Sequence, residues 1–194
     1  MFTGIIEEIG TVLSHDIGEL ILECPLVTSD ANLGDSIAVN GVDLTVRSVG
    51  ESSLSFDVMN ETYSRSNLQN LIKGNLVNLE RSVTTGTKLS GHIVRGVVET
   101  TCEVTQFKDD NESVIASYEV ESEYLKYIVM KGPVCLDGVS LTVMERDENS
   151  FSVSLVQYTQ ENTNLTRRNI GDHVNLETDI FARYVEQILE NREN

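Results

Sequence analysis

Two sets of polar side chains in this chain have the types and spacing to act on a small molecule. The first follows the dipeptide Asn40-Gly41: Asp43 and Thr45, then Asp57, Asn60, Glu61 and Thr62. The second is Ser140 and Thr142, then Gln157, Tyr158 and Thr159. Carboxylates, hydroxyls and amides at strand ends suit a planar heterocycle whose edges need several hydrogen-bond partners. Two such sets in one chain suit a site that handles two copies of one molecule. The bare pattern Gly-Val-x-Leu-Thr-Val, which occurs in both, also describes a plain barrel hairpin. Other chemistries lack residues. There is no Ser/His/Asp grouping, no histidine pair at metal-ligand spacing and no glycine-rich phosphate loop. His15, His92 and His173 are expected in loops or turns at the surface.

The two sets recur because the chain is an internal repeat. Asn40-Gly41-Val42-Asp43-Leu44-Thr45-Val46 returns as Asp137-Gly138-Val139-Ser140-Leu141-Thr142-Val143, and Val77-Asn78-Leu79-Glu80 returns as Val174-Asn175-Leu176-Glu177. Residues 34–80 and 131–177 agree at 16 of 47 positions, against the ~6% expected by chance from average usage. A second echo sets Gly4-Ile5-Ile6-Glu7 against Gly96-Val97-Val98-Glu99. The division expected is 1–88, 89–178 and a tail over 179–194.

Each half reads as six short strands. In the first these are Ile5–Leu13, Glu19–Cys24, Ser36–Asn40, Leu44–Val49, Ser53–Met59 and Val77–Glu80. In the second they are Gly96–Gln106, Val114–Glu119, Val134–Asp137, Leu141–Glu145, Ser150–Val156 and Val174–Glu177. Asn-Gly between β-branched runs marks a tight hairpin. Six strands with no long helix between them predict an all-β fold: two tandem six-stranded antiparallel Greek-key barrels. A short helix is expected at Ser66–Ile72 and another within Ser122–Lys131, a solvated hairpin tip at Lys108–Glu112, and a linker at Thr84–Ser90. In the tail, Ile180, Tyr184 and Ile188 with Phe181, Val185 and Leu189 form a stripe at helical spacing, capped by Thr178 or Asp179. A helix this short needs a partner surface, and a bundle between subunits is the favoured one.

The formal charge of −17 argues against nucleic acid and against an anionic membrane, since both would be repelled. No apolar run approaches the ~20 residues that span a bilayer. The start of the chain has no signal-peptide character, and Cys24, Cys102 and Cys135 read as reduced, semi-buried thiols in a cytoplasmic protein.

With these motifs assembled, the chain resembles the riboflavin synthase family, which also includes fluorescent lumazine antenna proteins. The resemblance rests on Met1-Phe2-Thr3-Gly4-Ile5-Ile6-Glu7-Glu8-Ile9-Gly10, Gly34-Asp35-Ser36-Ile37-Ala38-Val39-Asn40-Gly41, Glu61-Thr62 with Asn67-Leu68, Asp137–Val143, and Gly171-Asp172-His173-Val174-Asn175-Leu176-Glu177 followed by the tail. It implies a homotrimer joined by the C-terminal helix. It further implies a site between the N-barrel of one subunit and the C-barrel of the next, and dismutation of two 6,7-dimethyl-8-ribityllumazine molecules without metal or organic cofactor. Carried over by motif, the N-barrel pocket comprises Gly4, Ile5 and Ile6, then Asp43, Leu44 and Thr45, then Asp57, Val58, Met59, Asn60, Glu61 and Thr62. The C-barrel pocket comprises Gly96, Val97 and Val98, then Ser140, Leu141 and Thr142, then Leu155, Val156, Gln157, Tyr158, Thr159 and Gln160, with Lys131 from a neighbouring chain. Asp43 and Ser140 are the catalytic candidates, Asp43 as a base if burial at a barrel mouth raises its pKa. The chain departs from the family at three places: Asp43 stands where a cysteine is usual, Val97 where a histidine is usual, and Gln157-Tyr158 where Pro-His or Pro-Glu is usual. These departures define the alternative, a non-catalytic lumazine or flavin binder.

Overall fold

A computed structural model describes residues 1–16 and 18–192; the last two residues of the expected tail, Glu193 and Asn194, lie outside the described residues. Twelve strands form two closed barrels. The first contains β1 (Glu8–Asp16), β2 (Glu19–Glu23), β3 (Ser36–Val39), β4 (Val42–Val49), β5 (Ser53–Asp57) and β6 (Leu76–Arg81), in the cyclic order β1-β2-β5-β4-β3-β6. The second contains β7 (Thr100–Asp110), β8 (Ser113–Glu119), β9 (Pro133–Leu136), β10 (Val139–Arg146), β11 (Ser150–Leu155) and β12 (His173–Thr178), in the equivalent order. All pairings within the barrels are antiparallel, and closure leaves no free sheet edge. The strand bends recur as well: register slips after Val12 and Val46 in the first barrel are matched after Val104 and Val143 in the second.

Short helices link the strands, α1 (Pro25–Thr28), α2 (Asn60–Arg65), α3 (Ser122–Leu125) and α4 (Gln157–Asn162), and α5 (Ile180–Glu190) follows the last of them. The helix expected at Ser66–Ile72 is only a 3-10 turn at Asn67–Asn70; the α-helix lies just before it, as α2. The expected solvated tip at Lys108–Glu112 is mostly strand, because β7 continues to Asp110 and turns at Asn111. His15 and His173 lie in β1 and β12 rather than in loops. The three thiols are fully buried, not semi-buried, and burial pushes each above the usual cysteine range.

Each barrel encloses its own apolar core, and two residues are exchanged between them. Ile6, from the segment preceding β1, packs in the second core with Val134, Leu141 and Leu155. Val98, from the segment preceding β7, packs against the first, with Leu44 and Val58. Between the barrels, the lead segments pair as an antiparallel bridge at Phe2 and Val94. The two hairpin turns meet on this approximate two-fold. Asn40 and Asp137 take left-handed backbone (φ 45° and 44°), as do Gly41 and Gly138 (φ 77° and 82°), the geometry of tight primed turns. A Cβ on Gly41 would lie 2.7 Å from the Gly138 amide nitrogen, and one on Gly138 2.8 Å from that of Gly41. Asparagine amides stitch the joint reciprocally. Asn78 donates to the Asp137 carbonyl (2.9 Å) and Asn175 to the Asn40 carbonyl (2.8 Å). The fully buried Asp137 is balanced by Arg168 at 2.5 Å, as a buried carboxylate requires.

Candidate functional site

Strand alternation decides where the candidate side chains point. In β4, Val42, Leu44 and Val46 enter the core while Asp43 and Thr45 face outward. In β10, Val139, Leu141 and Val143 are buried while Ser140 is half-buried and Thr142 exposed. The polar sets therefore decorate the outer wall of each barrel, not a mouth. Asp43 is exposed on this chain, so the burial expected to make it a base is absent. Ile6, Leu44, Val58, Leu141 and Leu155 are core residues and shape the wall from behind.

The grouping expected from sequence order is reversed by the fold. Gly4 does not sit with Asp43: its carbonyl accepts the Ser140 amide at 2.8 Å, and a Cβ on Gly4 would lie 2.5 Å from Ser140 Cβ. Gly96 does not sit with Ser140: its carbonyl accepts the Asp43 amide at 2.9 Å, with a Cβ–Cβ approach of 2.6 Å. Both glycines have positive φ, +76° and +82°, which a substituted residue takes only with strain. One outer wall thus combines Gly96, Val97 and Val98 with Asp43 and Thr45, and the other combines Gly4, Ile5 and Ile6 with Ser140 and Thr142. Each lead segment crosses over because its apolar residue packs on the opposite barrel, Ile6 buried in the second core and Val98 partly buried against the first.

His92 is the residue the sequence reading missed. Its ring Nδ1 lies 2.7 Å from Ser140 Oγ, and its backbone N–H donates to the same oxygen at 3.2 Å. Burial lowers its pKa below the usual histidine value, opposed only by the charge of Asp179, so the ring is neutral at neutral pH. A neutral imidazole with hydrogen on Nε2 accepts a proton through Nδ1, which is the arrangement of a base beside a hydroxyl. Nε2 is buried with no hydrogen-bond partner among the described residues.

The remaining expected residues divide by environment. Met59, Val97, Val156 and Tyr158 are more than half exposed, and Ile5 somewhat less. Asp57 is ion-paired with Arg47 (3.1 Å) and Glu61 with Arg65 (2.5 Å). Gln157 donates to Glu161, and Gln160 holds the Leu155 and Glu112 carbonyls. Asn60 and Thr62 lie on α2, and Thr159 on α4, whose carbonyl takes the Thr163 hydroxyl. Lys131 lies in an exposed left-handed turn before β9, its amide on the Val143 carbonyl beyond Thr142. Two clefts of about 530 Å³ each occur, one beside Thr3, Ile5, Glu80 and Arg81, which adjoins the Ser140 wall through Ile5, the other beside Asn67, Asn164 and Arg168.

The tail helix α5 is tied down by its polar face. Arg183 binds Glu99 at 2.7 Å and lies 4.8 Å over the Tyr127 ring, and Glu186 meets Lys126 at 2.5 Å and the Tyr127 hydroxyl. Asp179 caps the helix through the Phe181 amide. The other face leaves Phe181, Tyr184, Val185, Ile188 and Leu189 each more than half exposed. Among the described residues no helix is long and apolar enough to cross a membrane.

Known proteins match the chain over most of its length. The lumazine binding domain matches twice, over residues 3–82 and 95–179, which defines the class as a tandem of lumazine binding domains. The chain is 43% identical to the riboflavin synthase of Mycobacterium bovis over 197 residues, covering 97% of this chain and 98% of that one. It is 41% identical to the riboflavin synthase of Actinobacillus pleuropneumoniae (97% and 90% covered) and 38% identical to that of Saccharomyces cerevisiae (100% and 89%). This chain belongs to the riboflavin synthase family. In fold it also matches the crystal structure of LumP complexed with riboflavin, at TM-score 0.85 and 22% identity, with 92% of this chain and 100% of that one covered.

Proposed function

We propose that this chain acts as a riboflavin synthase: it takes two molecules of 6,7-dimethyl-8-ribityllumazine and moves a four-carbon unit from one to the other. The products are riboflavin and 5-amino-6-ribitylaminouracil. The observation that carries this reading is the pair of equivalent outer walls, each built from a Gly-Val-x-Leu-Thr-Val strand locked to a glycine segment. Two like walls suit two like reactants, and holding both in register supplies ~7–11 kcal/mol of a barrier without any reactive group. Each wall is open on a single chain, so the reading places the wall of Asp43 against the wall of Ser140 from a neighbouring subunit. The uncovered stripe of α5 supports a homotrimer as the assembly that brings them together, and Lys131 then approaches from the adjoining chain. In this arrangement Ser140 and His92 handle the proton on one reactant. Asp43 and Thr45 bind the edge of the other, where Asp43 and Val97 replace the cysteine and histidine usual in the family. The reaction so read requires no cofactor, the free thiols Cys24, Cys102 and Cys135 suit a cytoplasmic protein, and the −17 charge disfavours a nucleic-acid or anionic-membrane partner.

Incubation of the purified protein with the lumazine tests this directly. Growth of the flavin absorbance band is expected; tight lumazine binding with no flavin formed would replace the synthase reading with that of a carrier. Sedimentation of the Ile188→Asp variant tests the assembly. Loss of the oligomer together with loss of turnover is expected, and an active monomer would remove the shared site.

A further inference from the structure

Each barrel ends on a strand that buries a glutamate, and burying a carboxylate is costly unless its oxygens are fully hydrogen-bonded. Glu80 on β6 is 4% exposed and Glu177 on β12 is 2% exposed. Both are saturated by the lead segment of their own repeat. Glu80 accepts from the Thr3 amide (2.7 Å), the Thr3 hydroxyl (2.8 Å) and the Gly4 amide (2.9 Å). Glu177 accepts from the amides of Arg95 (2.8 Å), Gly96 (3.0 Å) and Val97 (2.9 Å), and from the Arg95 guanidinium (3.3 Å). The segment held in this way is the one that crosses to the opposite barrel, where the Gly4 carbonyl meets the Ser140 amide and the Gly96 carbonyl meets the Asp43 amide.

We propose that these two glutamates are crossed positioning residues: Glu80, in the first barrel, sets the wall that carries Ser140, and Glu177, in the second, sets the wall that carries Asp43. Neither side chain has a direct hydrogen bond to the residue it serves; each acts through a glycine whose backbone bonds on both sides. The tolerance is small, because the two glycines approach Ser140 and Asp43 too closely for even a methyl group. Every contact to Glu80 is with a neutral donor, whereas Glu177 also has a cation, so the Glu80 clamp is the weaker of the two.

The assignment rests on reading positions 43 and 140 as the two half-sites, and the experiment separates the two questions. In the ligand-free full-length protein, amide hydrogen exchange is measured for Glu80→Gln and Glu177→Gln. Glu80→Gln is expected to speed exchange at Ser140 about ten-fold and leave Asp43 unchanged; Glu177→Gln is expected to do the reverse. Thr3→Val and Arg95→Met remove one clamp contact each and should repeat the crossed pattern, about three-fold, should a glutamine variant not fold. An effect confined to the glutamate's own barrel, or equal at both amides, overturns the proposal. Titration with the lumazine follows: Glu80→Gln should perturb the Ser140 resonance response and spare that of Asp43. A wild-type protein that binds no lumazine would refute the functional reading while leaving the crossed exchange result standing.

Discussion

The two outer walls share a backbone and differ in chemistry. At position 43 a carboxylate stands exposed, with its amide on the Gly96 carbonyl. At the equivalent position 140 a hydroxyl is half-buried and flanked by the His92 ring. The difference teaches that duplication preserved the backbone frame of each wall and let the side chains on it diverge. Strand, turn and glycine contact are the same in both copies. His92 has no counterpart in the first copy, because it lies in the stretch that joins the two.

If this asymmetry is functional, substitutions at equivalent positions should have unequal effects. Ser140→Ala should lower riboflavin formation about 100-fold at saturating lumazine, the scale of lost acid–base help, with little change in binding. Gly4→Ala and Gly96→Ala should each cost more in urea melts than the ~1–3 kcal/mol of a substituted residue at positive φ, because the added Cβ also meets the backbone of Ser140 or Asp43. Of the two, only Gly4→Ala should disturb the Ser140–His92 pair, visible as a shift of the His92 ring resonances. Asp43→Ala should reduce turnover only about five-fold, within the range of one lost surface hydrogen bond. A larger loss at Asp43 than at Ser140 would invert the comparison.

The smallest expected effect concerns pH. Burial raises the carboxyls of Glu80 and Glu177 above the ordinary value, more than their hydrogen bonds lower them. Between the unfolded carboxylate pKa and the raised folded ones, the folded chain holds protons that the unfolded chain has released. Stability from these groups is therefore full at low pH and falls as pH rises through that window. Glu80→Gln should flatten this part of the profile, measured as thermal melts from the ordinary carboxylate range up to neutral pH. An unchanged slope would mean that Glu80 does not titrate in the folded protein.

Much of this architecture was legible in residue order. Asn40-Gly41 and Asp137-Gly138 marked the hairpins because few other pairs tolerate two left-handed residues. The repeat offset made the barrels equivalent, and the stripe from Ile180 to Leu189 marked the tail helix. Strict in-out alternation fails in β5, where Ser55 is buried like its neighbours Leu54 and Phe56 and is bonded to Ser48 at 2.6 Å. The crossing of Gly4 and Gly96 was not legible. A repeat shows which residues are equivalent, not which copy an element packs on, and Ile6 is as apolar in one core as in the other. His92 was missed for a related reason: a residue outside the repeated blocks has no twin to draw attention to it. The helix α2 was missed because Asn60-Glu61-Thr62-Tyr63-Ser64-Arg65 has weak helix propensity and directly follows a strand.

The exchange of opening segments also bears on ancestry. A single half, cut free, would present an unfilled slot where the other half's isoleucine or valine belongs, and would carry a loose arm shaped for a slot on someone else. Two such molecules satisfy each other by a two-fold rotation, as self-complementary surfaces do. The exchange within this chain is therefore the contact that two free halves would make with each other, a handshake that fusion releases from any dependence on concentration.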